Sequence, residues 1–591
     1  MTHNVPRTPP NINAVWGALI VEELVRNGVG LFCLSPGSRC APLTVAVAEN
    51  ARAQHVMHFD ERGAAYHALG YAAATGRPAA LICTSGTAVT NYFPAVVEAA
   101  HARVPLIVLS ADRPPELLDA GANQAIDQVR LFGNYARWYA ALPCPTEEIA
   151  AKTVLTTIDQ AVYRATSAPA GPVHLNCMFR EPLAPVPTDR DFGPYLAGVA
   201  SWQSGDAPYT ASVKSARTAS PDDRRQLVET LGRAEHGLLV VGRLASPAET
   251  EAVGKLAEAL NWPVFPDVAS GLRLGTGTPP FAHYYDTLLG EPGFAERCAP
   301  DVVLQVGSPV VSKRLLEHLE KHRPRQYILV ADHPFRHDAA HGVTMRVEAD
   351  VAAYCRDLAK DGAPPGDAEW RRCLWAASEA ADEAMGGLLA QEDAFGEPAV
   401  ARLLSERVRP DATLFVGNSM PVRDVGRFAS PHGARPRVAV NRGASGIDGN
   451  IAAAAGYARG LDAPVTALVG DLALLHDLNS LALLRDVGVP VTVVVLNNNG
   501  GGIFSFLPIA EFPEHFEKLF AAPHGRRFKE AAALFDLDYY RACSRESFVD
   551  AYETAGKSGA SAIIEVGTDR EDNVRVHRRF EEAVAQAVAR V

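Results

Sequence analysis

Val465-Thr466-Ala467-Leu468-Val469-Gly470-Asp471 and, further on, Val491-Thr492-Val493-Val494-Val495-Leu496-Asn497-Asn498-Asn499-Gly500-Gly501 decide how this chain is read. Each is a short aliphatic run rich in β-branched residues and closed by turn formers. That is the pattern of a strand covered on both faces of a parallel sheet. The first run ends on a carboxylate and the second on amides. Together they offer one hard cation a set of oxygens: the Asp471 carboxylate, the Asn498 amide and the Gly500 backbone carbonyl. Magnesium takes such ligands in octahedral geometry and usually arrives with phosphates. Taken alone, the same residues also describe two ordinary strand exits, since Gly, Asp and Asn are common in turns.

The chain contains this unit twice. Near the N-terminus, Gly70-Tyr71-Ala72 precedes the strand Ala79-Ala80-Leu81-Ile82-Cys83, the turn Thr84-Ser85-Gly86, a helix, and Val104-Pro105 before Leu106-Ile107-Val108-Leu109. Near the C-terminus, Gly456-Tyr457-Ala458 precedes Val465–Val469, Gly470-Asp471, a helix, and Val489-Pro490 before the second run. The offsets agree: 456 − 70 = 386, 471 − 86 = 385 and 490 − 105 = 385. Two related α/β domains are therefore expected, with ligands at the C-terminal ends of their strands. Between them, Leu238–Val241, Val302–Val306 and Tyr327–Val330 predict a third doubly wound domain. It has no G-x-G-x-x-G fingerprint and so is assigned no dinucleotide. Pro182 to Asp223, rich in Pro, Gly, Ser and Thr, reads as a linker, and Ala363-Pro364-Pro365-Gly366 as a second break. The expected fold class is α/β, with three doubly wound parallel-sheet domains of which the first and third are related. The expected division is 1–190, a linker over 191–222, a central domain over 223–362, and 363–591.

Composition narrows the function. The 591 residues are 48% hydrophobic and 21% charged, which suits a multidomain globular protein. A net charge of −12 argues against nucleic acid as the main partner. No apolar stretch is long enough to span a membrane, and Met1–Pro6 lacks a secretory pattern, so a cytoplasmic location is expected. Nine cysteines without a C-x-x-C pair argue against a disulfide framework or zinc site.

Against that acidic background, six cations sit in strand-end turns: Arg39, Arg113, Lys313, Arg314, Arg423 and Arg442. Any one of them reads as a solvated surface charge. As a set they predict a substrate with several carboxylates, or two anionic substrates, because arginine's planar fork pairs with carboxylates. Glu61, beside Asp60 before an alanine-rich helix, reads first as a charge favouring the helix N-terminus. The segment from Phe512 to Phe528 reads as an amphipathic helix, with a mobile lid as the alternative.

Five motifs occur together and in order: Ser35-Pro36-Gly37-Ser38-Arg39, Ser110-Ala111-Asp112-Arg113-Pro114, Gly121-Ala122-Asn123-Gln124, Asn441–Gly449 and Asn497–Phe504. The Asp471-to-Asn498 interval is similar to the metal signature of thiamin-diphosphate enzymes. The full set resembles the MenD family, the 2-succinyl-5-enolpyruvyl-6-hydroxy-3-cyclohexene-1-carboxylate synthases of menaquinone biosynthesis, over essentially the whole chain. Leu472 departs from the wider superfamily, where glycine is common, without removing a ligand.

The resemblance implies a pyrimidine-binding first domain and a diphosphate- and metal-binding third domain. It implies thiamin diphosphate with magnesium, manganese being able to substitute. It implies a transferase of aldehyde or ketone residues that decarboxylates 2-oxoglutarate and adds the succinyl unit 1,4 to isochorismate. Glu61 would be buried against the aminopyrimidine, where burial raises a carboxyl pKa and lets it share a proton. Ile447 would hold the cofactor folded, or else be a plain core residue. Gly470, Asp471 and Asn498 would hold the diphosphate and metal. Ser38, Arg39, Arg113, Lys313 and Arg314 would bind isochorismate. Ser419, Arg423 and Arg442 would bind the succinyl carboxylate, and Asn123 and Gln124 would line the reacting centre. Ile503 and Phe504 would close over cofactor and substrates. Glu61 and Asp471 fall on different domains, which in thiamin enzymes implies a homodimer or a dimer of dimers. Another thiamin enzyme, acting on pyruvate, would leave Arg113, Arg423 and Arg442 without carboxylates to meet. A non-catalytic relative would be expected to have lost Glu61, Asp471 or Asn498.

Overall fold

The computed structural model describes residues 9–277, 279–361, 366–391 and 395–591. Met1–Pro6 and Ala363-Pro364-Pro365, both used above, lie outside the described residues. The strands form three sheets in which every pairing is parallel. The first contains β1 (Leu31–Leu34), β2 (His55–Met57), β3 (Ala79–Cys83), β4 (Leu106–Asp112), β5 (Trp138–Leu142) and β6 (Val173–Met178), ordered β2-β1-β3-β4-β6-β5. The second contains β7 (Gly237–Val241), β8 (Val264–Pro266), β9 (Val302–Val306), β10 (Gln326–Ala331) and β11 (Met345–Glu348), ordered β11-β10-β9-β7-β8. The third contains β12 (Thr413–Val416), β13 (Arg437–Ala439), β14 (Val465–Gly470), β15 (Val491–Asn497), β16 (Asp538–Ala542) and β17 (Ala562–Gly567), ordered β13-β12-β14-β15-β17-β16.

Helices cover the central strands, and so their sequences read as unbroken apolar runs: every residue of β3, β4, β7 and β9 is buried. The first and third sheets have the same strand order, which bears out the internal repeat. The repeat also aligns functional positions. Gly86 at the end of β3 corresponds to Asp471 (471 − 86 = 385), and Arg113 after β4 corresponds to Asn498 (498 − 113 = 385). One scaffold thus carries an acid–amide pair at one copy of these strand ends and a glycine and an arginine at the other.

The chain folds as two compact units. The first runs up to Lys214 and includes Asn441–Asp462 and His476–Gly488. Its helix Glu61–Thr75, alanine-rich and capped by the Asp60 side chain, packs on the helix Asn450–Leu461. Glycines let the two backbones meet. A Cβ at Gly70 would lie 2.1 Å from the Ala453 carbonyl oxygen, and one at Gly456 would lie 2.1 Å from that of His67. Since 453 − 67 and 456 − 70 both equal 386, the contact is reciprocal, as between two copies of one surface. Gly456→Ala should therefore lower the thermal midpoint, with an overpacking cost of about 1–3 kcal/mol. Gly556→Ala, in a helix where an added Cβ meets nothing within 4 Å, should leave the midpoint unchanged or raise it. Equal midpoints for the two variants would remove the close-packing argument.

The stretch read as a linker is better ordered than its composition suggested. Phe192, Leu196, Val199 and Trp202 are buried in the core of the first unit. Trp202 Nε1 and the Tyr209 amide donate to Glu23 (2.5 and 2.6 Å), and the Thr210 amide donates to Asp159 (2.9 Å). These four apolar residues stand 4, 3 and 3 positions apart, a helical spacing, and the stretch is helical over Gly193–Leu196, Ala197–Val199 and Ala200–Gln203; the Pro, Gly, Ser and Thr around it mask that signal. Glu23 is pushed up to about 8, burial being the largest cause and its bond to Asp159 the next. A carboxyl held above its unfolded value binds more protons folded than unfolded. Its stabilisation is therefore present in acid and fades as pH rises from the ordinary glutamate range to about 8. Protection factors at the Tyr209 and Thr210 amides, with the intrinsic pH dependence of exchange divided out, should fall across that window in the native chain and stay level in Glu23→Gln. A flat profile in the native chain would contradict the assignment.

The second unit comprises Ser215–Val440, Ala463–Leu475 and Val489–Val591. The helices Ala368–Leu389 and Arg570–Val588 share one core with Leu238, Val240 and Val303 of the central sheet. Arg273 is fully buried, donates to the Gly426 and Ala429 carbonyls (3.0 Å each) and lies over the Tyr284 ring. Among the described residues, no helix is long and apolar enough to cross a membrane.

Candidate active site

In the second unit the three oxygen donors proposed from sequence are brought together at the ends of β14 and β15. Asp471 is 1% exposed. Its Oδ1 accepts from the Leu472 amide (2.7 Å) and its Oδ2 from the Gly500 amide (2.8 Å). Gly500 has φ 138°, and a Cβ there would lie 2.1 Å from the Ala521 carbonyl oxygen, so the loop requires glycine. Asn498 is 8% exposed. Its Nδ2 donates to Glu397 Oε1 (2.9 Å), while its Oδ1 is buried without a partner. A buried oxygen with nothing to accept is costly, and a cation would satisfy it. Gly470, next to Asp471, faces open space: an added Cβ would meet nothing within 4 Å. Burial, and Asp424 after it, push the Glu397 carboxyl well above the usual range.

His524 Nε2 lies 3.0 Å from Asp471 Oδ2. It ends a segment whose helical part is shorter than expected: one α-turn over Pro513–Phe516, a π-turn over Glu517–Ala521, then irregular chain to Phe528. The Ala521 carbonyl accepts from the Gly501 amide at 2.7 Å, so the segment is tied to the loop after β15 and does not continue as a free amphipathic helix. Phe504, in the 3-10 turn Gly502–Phe506, packs edge-on against Phe520 at 5.8 Å, and Ile503 beside it is half-buried.

Ser419 follows β12 with φ 69°, a left-handed conformation that a non-glycine residue adopts at a cost. Its carbonyl accepts from Arg423 (2.6 Å) one turn into the helix Met420–Phe428. Lys313 and Arg314 open the helix Lys313–Lys321 and pair within the second unit: Lys313 with Glu317 (3.0 Å), Arg314 with Glu581 (2.6 Å). An incoming carboxylate would have to compete with both partners.

In the first unit, Asp60 and Glu61 separate by role. Asp60 accepts from the Arg62 amide (3.0 Å) as the helix cap. Glu61 lies in the first turn, half-buried where full burial was expected, with its charge felt at Cys40, Cys83 and Tyr92. Arg39 is buried, donates to the Phe179 carbonyl (2.9 Å), and is held below its ordinary value by burial and then by Arg113. Arg113 Nε is buried without a partner. Two neighbouring guanidiniums of this kind suit a dianion. Ser38 is exposed beside them. Gln124, at φ 58°, exchanges two hydrogen bonds with Ser85 (3.0 Å each), and Asn123 next to it is exposed. A buried amide, Gln128, locks this arrangement by accepting from Gly86 and donating to Ala111 and Asn176.

Arg442 and Ile447 lie on a loop that also belongs to the first unit. The buried Glu98 carboxylate accepts from the Gly443 and Ala444 amides (2.6 Å each), and Tyr66 donates to Asp448 (2.9 Å). Asn450 donates to the Ile447 carbonyl (2.6 Å). Ile447 is half-buried.

Three family models match in sequence order: the thiamine pyrophosphate enzyme N-terminal TPP binding domain over residues 15–131, the middle domain of thiamine pyrophosphate enzymes over 193–416, and the C-terminal TPP binding domain over 424–566. A 2-succinyl-5-enolpyruvyl-6-hydroxy-3-cyclohexene-1-carboxylate synthase from Rubrobacter xylanophilus is 50% identical over 97% of this chain and 98% of its own. Synthases of the same name from Salinibacter ruber and Prosthecochloris aestuarii are 48% and 42% identical, each over 98% of both chains. The chain belongs to this synthase family. The resemblance read from the five motifs is thereby borne out, and with it the thiamin-diphosphate-binding domains.

Against the family's cofactor, the residues present fit: a paired carboxylate and amide, an unsatisfied amide oxygen, and open space at Gly470. Four residues that hold these loops were not singled out from sequence: Glu98 and Gln128 in the first unit, Glu397 and His524 in the second. Glu98 carried a faint signal, a lone carboxylate in the apolar helix Phe93–Ala102. Glu397, in Gly-Glu-Pro, looks like any acid in a helix's first turn.

Proposed function

We propose that this chain converts 2-oxoglutarate and isochorismate into 2-succinyl-5-enolpyruvyl-6-hydroxy-3-cyclohexene-1-carboxylate and carbon dioxide, as a thiamin-diphosphate-dependent transferase of menaquinone biosynthesis. The observation that carries the reading is the intact oxygen set at the ends of β14 and β15, with Asn498 Oδ1 buried and unsatisfied. Asp471, Asn498 and the Gly500 carbonyl would hold magnesium, or manganese in its place, and through it the diphosphate. When bound, the cofactor supplies the electron sink that lets the 2-oxo acid lose carbon dioxide.

The chain's own residues do the rest. Glu61 would hold and return a proton beside the bound cofactor, and Ile447 would pack against it. Ser419, Arg423 and Arg442 grip the distal carboxylate of 2-oxoglutarate. Ser38, Arg39, Arg113, Lys313 and Arg314 hold the carboxylates of isochorismate, with Asn123 and Gln124 at the reacting carbons. Ile503 and Phe504 shut out water. Holding both substrates in one site makes the addition effectively intramolecular, worth several powers of ten. We further propose a domain division at 1–190, 191–222, 223–362 and 363–591 and a cytoplasmic location. The proposed active assembly is a homodimer or a dimer of dimers, one copy supplying Glu61 and the other the metal-holding set. The exposed Met57 and Phe59, on the approach to Glu61, support a covered face there.

Replacing the oxo acid tests the substrate assignment. Carbon dioxide release should follow 2-oxoglutarate and fall to background with pyruvate, which lacks the distal carboxylate. Comparable release from pyruvate would favour the acetolactate-synthase type of thiamin enzyme.

A further inference from the structure

We propose that Glu397 is a positioning residue that sets the orientation of the Asn498 side chain and thereby builds the metal site. The inference rests on the reading above that Asp471, Asn498 and Gly500 hold the metal. An asparagine amide has two faces of nearly equal shape, and only its oxygen binds a cation. Something must choose between them. Glu397 opens the helix Glu397–Arg407, is 1% exposed, and presents Oε1 to Asn498 Nδ2 at 2.9 Å. The same oxygen accepts from Thr568 Oγ1 at 3.2 Å, which fixes the carboxylate in turn.

Turning the amide over would set the Asn498 oxygen against Glu397 Oε1, which already accepts from Thr568, leaving two acceptors face to face inside a buried site, an unpaired contact of the costly kind. Packing reinforces the choice: a Cβ on Gly502 would lie 2.4 Å from Asn498 Nδ2, so the amide sits under a backbone with little room to swing. The consequence is visible on the other side, where Asn498 Oδ1 is buried and accepts nothing. Glu397 thus aims a lone pair at the metal position without touching metal, cofactor or substrate. It also explains an amide at position 498: a carboxylate there would have no N–H to give to the accepting Glu397 Oε1.

The test reads metal affinity directly on the full-length protein with thiamin diphosphate and no substrate. Mn2+ is the probe, and its free fraction is followed by electron paramagnetic resonance. Glu397→Ala should weaken Mn2+ binding by roughly 10- to 100-fold, the usual loss when the partner of a metal ligand is removed. Glu397→Gln should stay close to wild type, because its amide oxygen can still accept from Asn498. Equal affinity in Glu397→Ala and wild type would overturn the proposal. So would an equal loss in Glu397→Gln, which would make charge rather than orientation the cause. If Glu397→Ala does not fold, Asn498→Asp carries the test. It should bind Mn2+ more weakly than wild type despite its added charge, and recover in the Asn498→Asp/Glu397→Gln double variant. Tighter binding in the single variant would refute the orientation role. Failure of the underlying reading looks different: Asp471→Asn would then bind Mn2+ as well as wild type.

Discussion

Glu61→Gln should cut turnover by roughly 100- to 10,000-fold, the range lost when a positioned proton-transfer group is removed. It should leave the thermal midpoint and cofactor uptake near their native values. The expectation rests on the division of labour at the start of the helix Glu61–Thr75. Asp60 already caps that helix, so the Glu61 carboxylate is not needed to form it. Glutamine keeps the size and hydrogen-bonding reach of glutamate but cannot carry a proton back and forth. Fluorescence quenching on thiamin diphosphate binding, alongside kcat, separates the two properties. Near-native kcat would remove Glu61 from the chemistry, while loss of binding with loss of kcat would make it a structural contact.

Asp471→Asn should weaken magnesium-dependent cofactor binding by more than about 100-fold, the upper end of losses seen for residues one step further from a metal. Two effects combine. The charge opposite the cation disappears, and an amide can accept at only one of its two positions, whereas Asp471 accepts at both, from Leu472 and Gly500. The Gly500 loop would therefore loosen together with the carbonyl it is proposed to offer. Titrating magnesium at fixed thiamin diphosphate, with cofactor-dependent thermal stabilisation as the readout, measures the loss. An unchanged midpoint concentration would contradict the assigned ligand.

The three sheets were legible because buried parallel strands have no polar face, as β3, β4, β7 and β9 show. The duplication was legible as a constant offset, which the shared strand order turned into topology. The motif residues at the strand ends could be found for a related reason: sharp turns after buried strands draw on few residue types. What could not be read was contact across long separations. Nothing near Asn498 in sequence points to Glu397, and nothing near Gly443 points to Glu98. The docking of Phe192–Trp202 was hidden because its one short helical spacing, 192, 196, 199 and 202, is set in Pro-, Gly-, Ser- and Thr-rich sequence that reads as a linker. The Phe512–Phe528 helix was overestimated because its charge pattern does not reveal that the Gly501 amide takes the Ala521 carbonyl and that His524 turns back to Asp471.

The central claim is that one protein joins a decarboxylated 2-oxoglutarate to isochorismate, and isochorismate's ultraviolet absorbance tests it most directly. With the enzyme, magnesium, thiamin diphosphate and 2-oxoglutarate present, absorbance should fall and a product of the expected adduct mass should form. Leaving out any one component should stop both. Absorbance that holds steady in the complete mixture, with the cofactor demonstrably bound, would contradict the account.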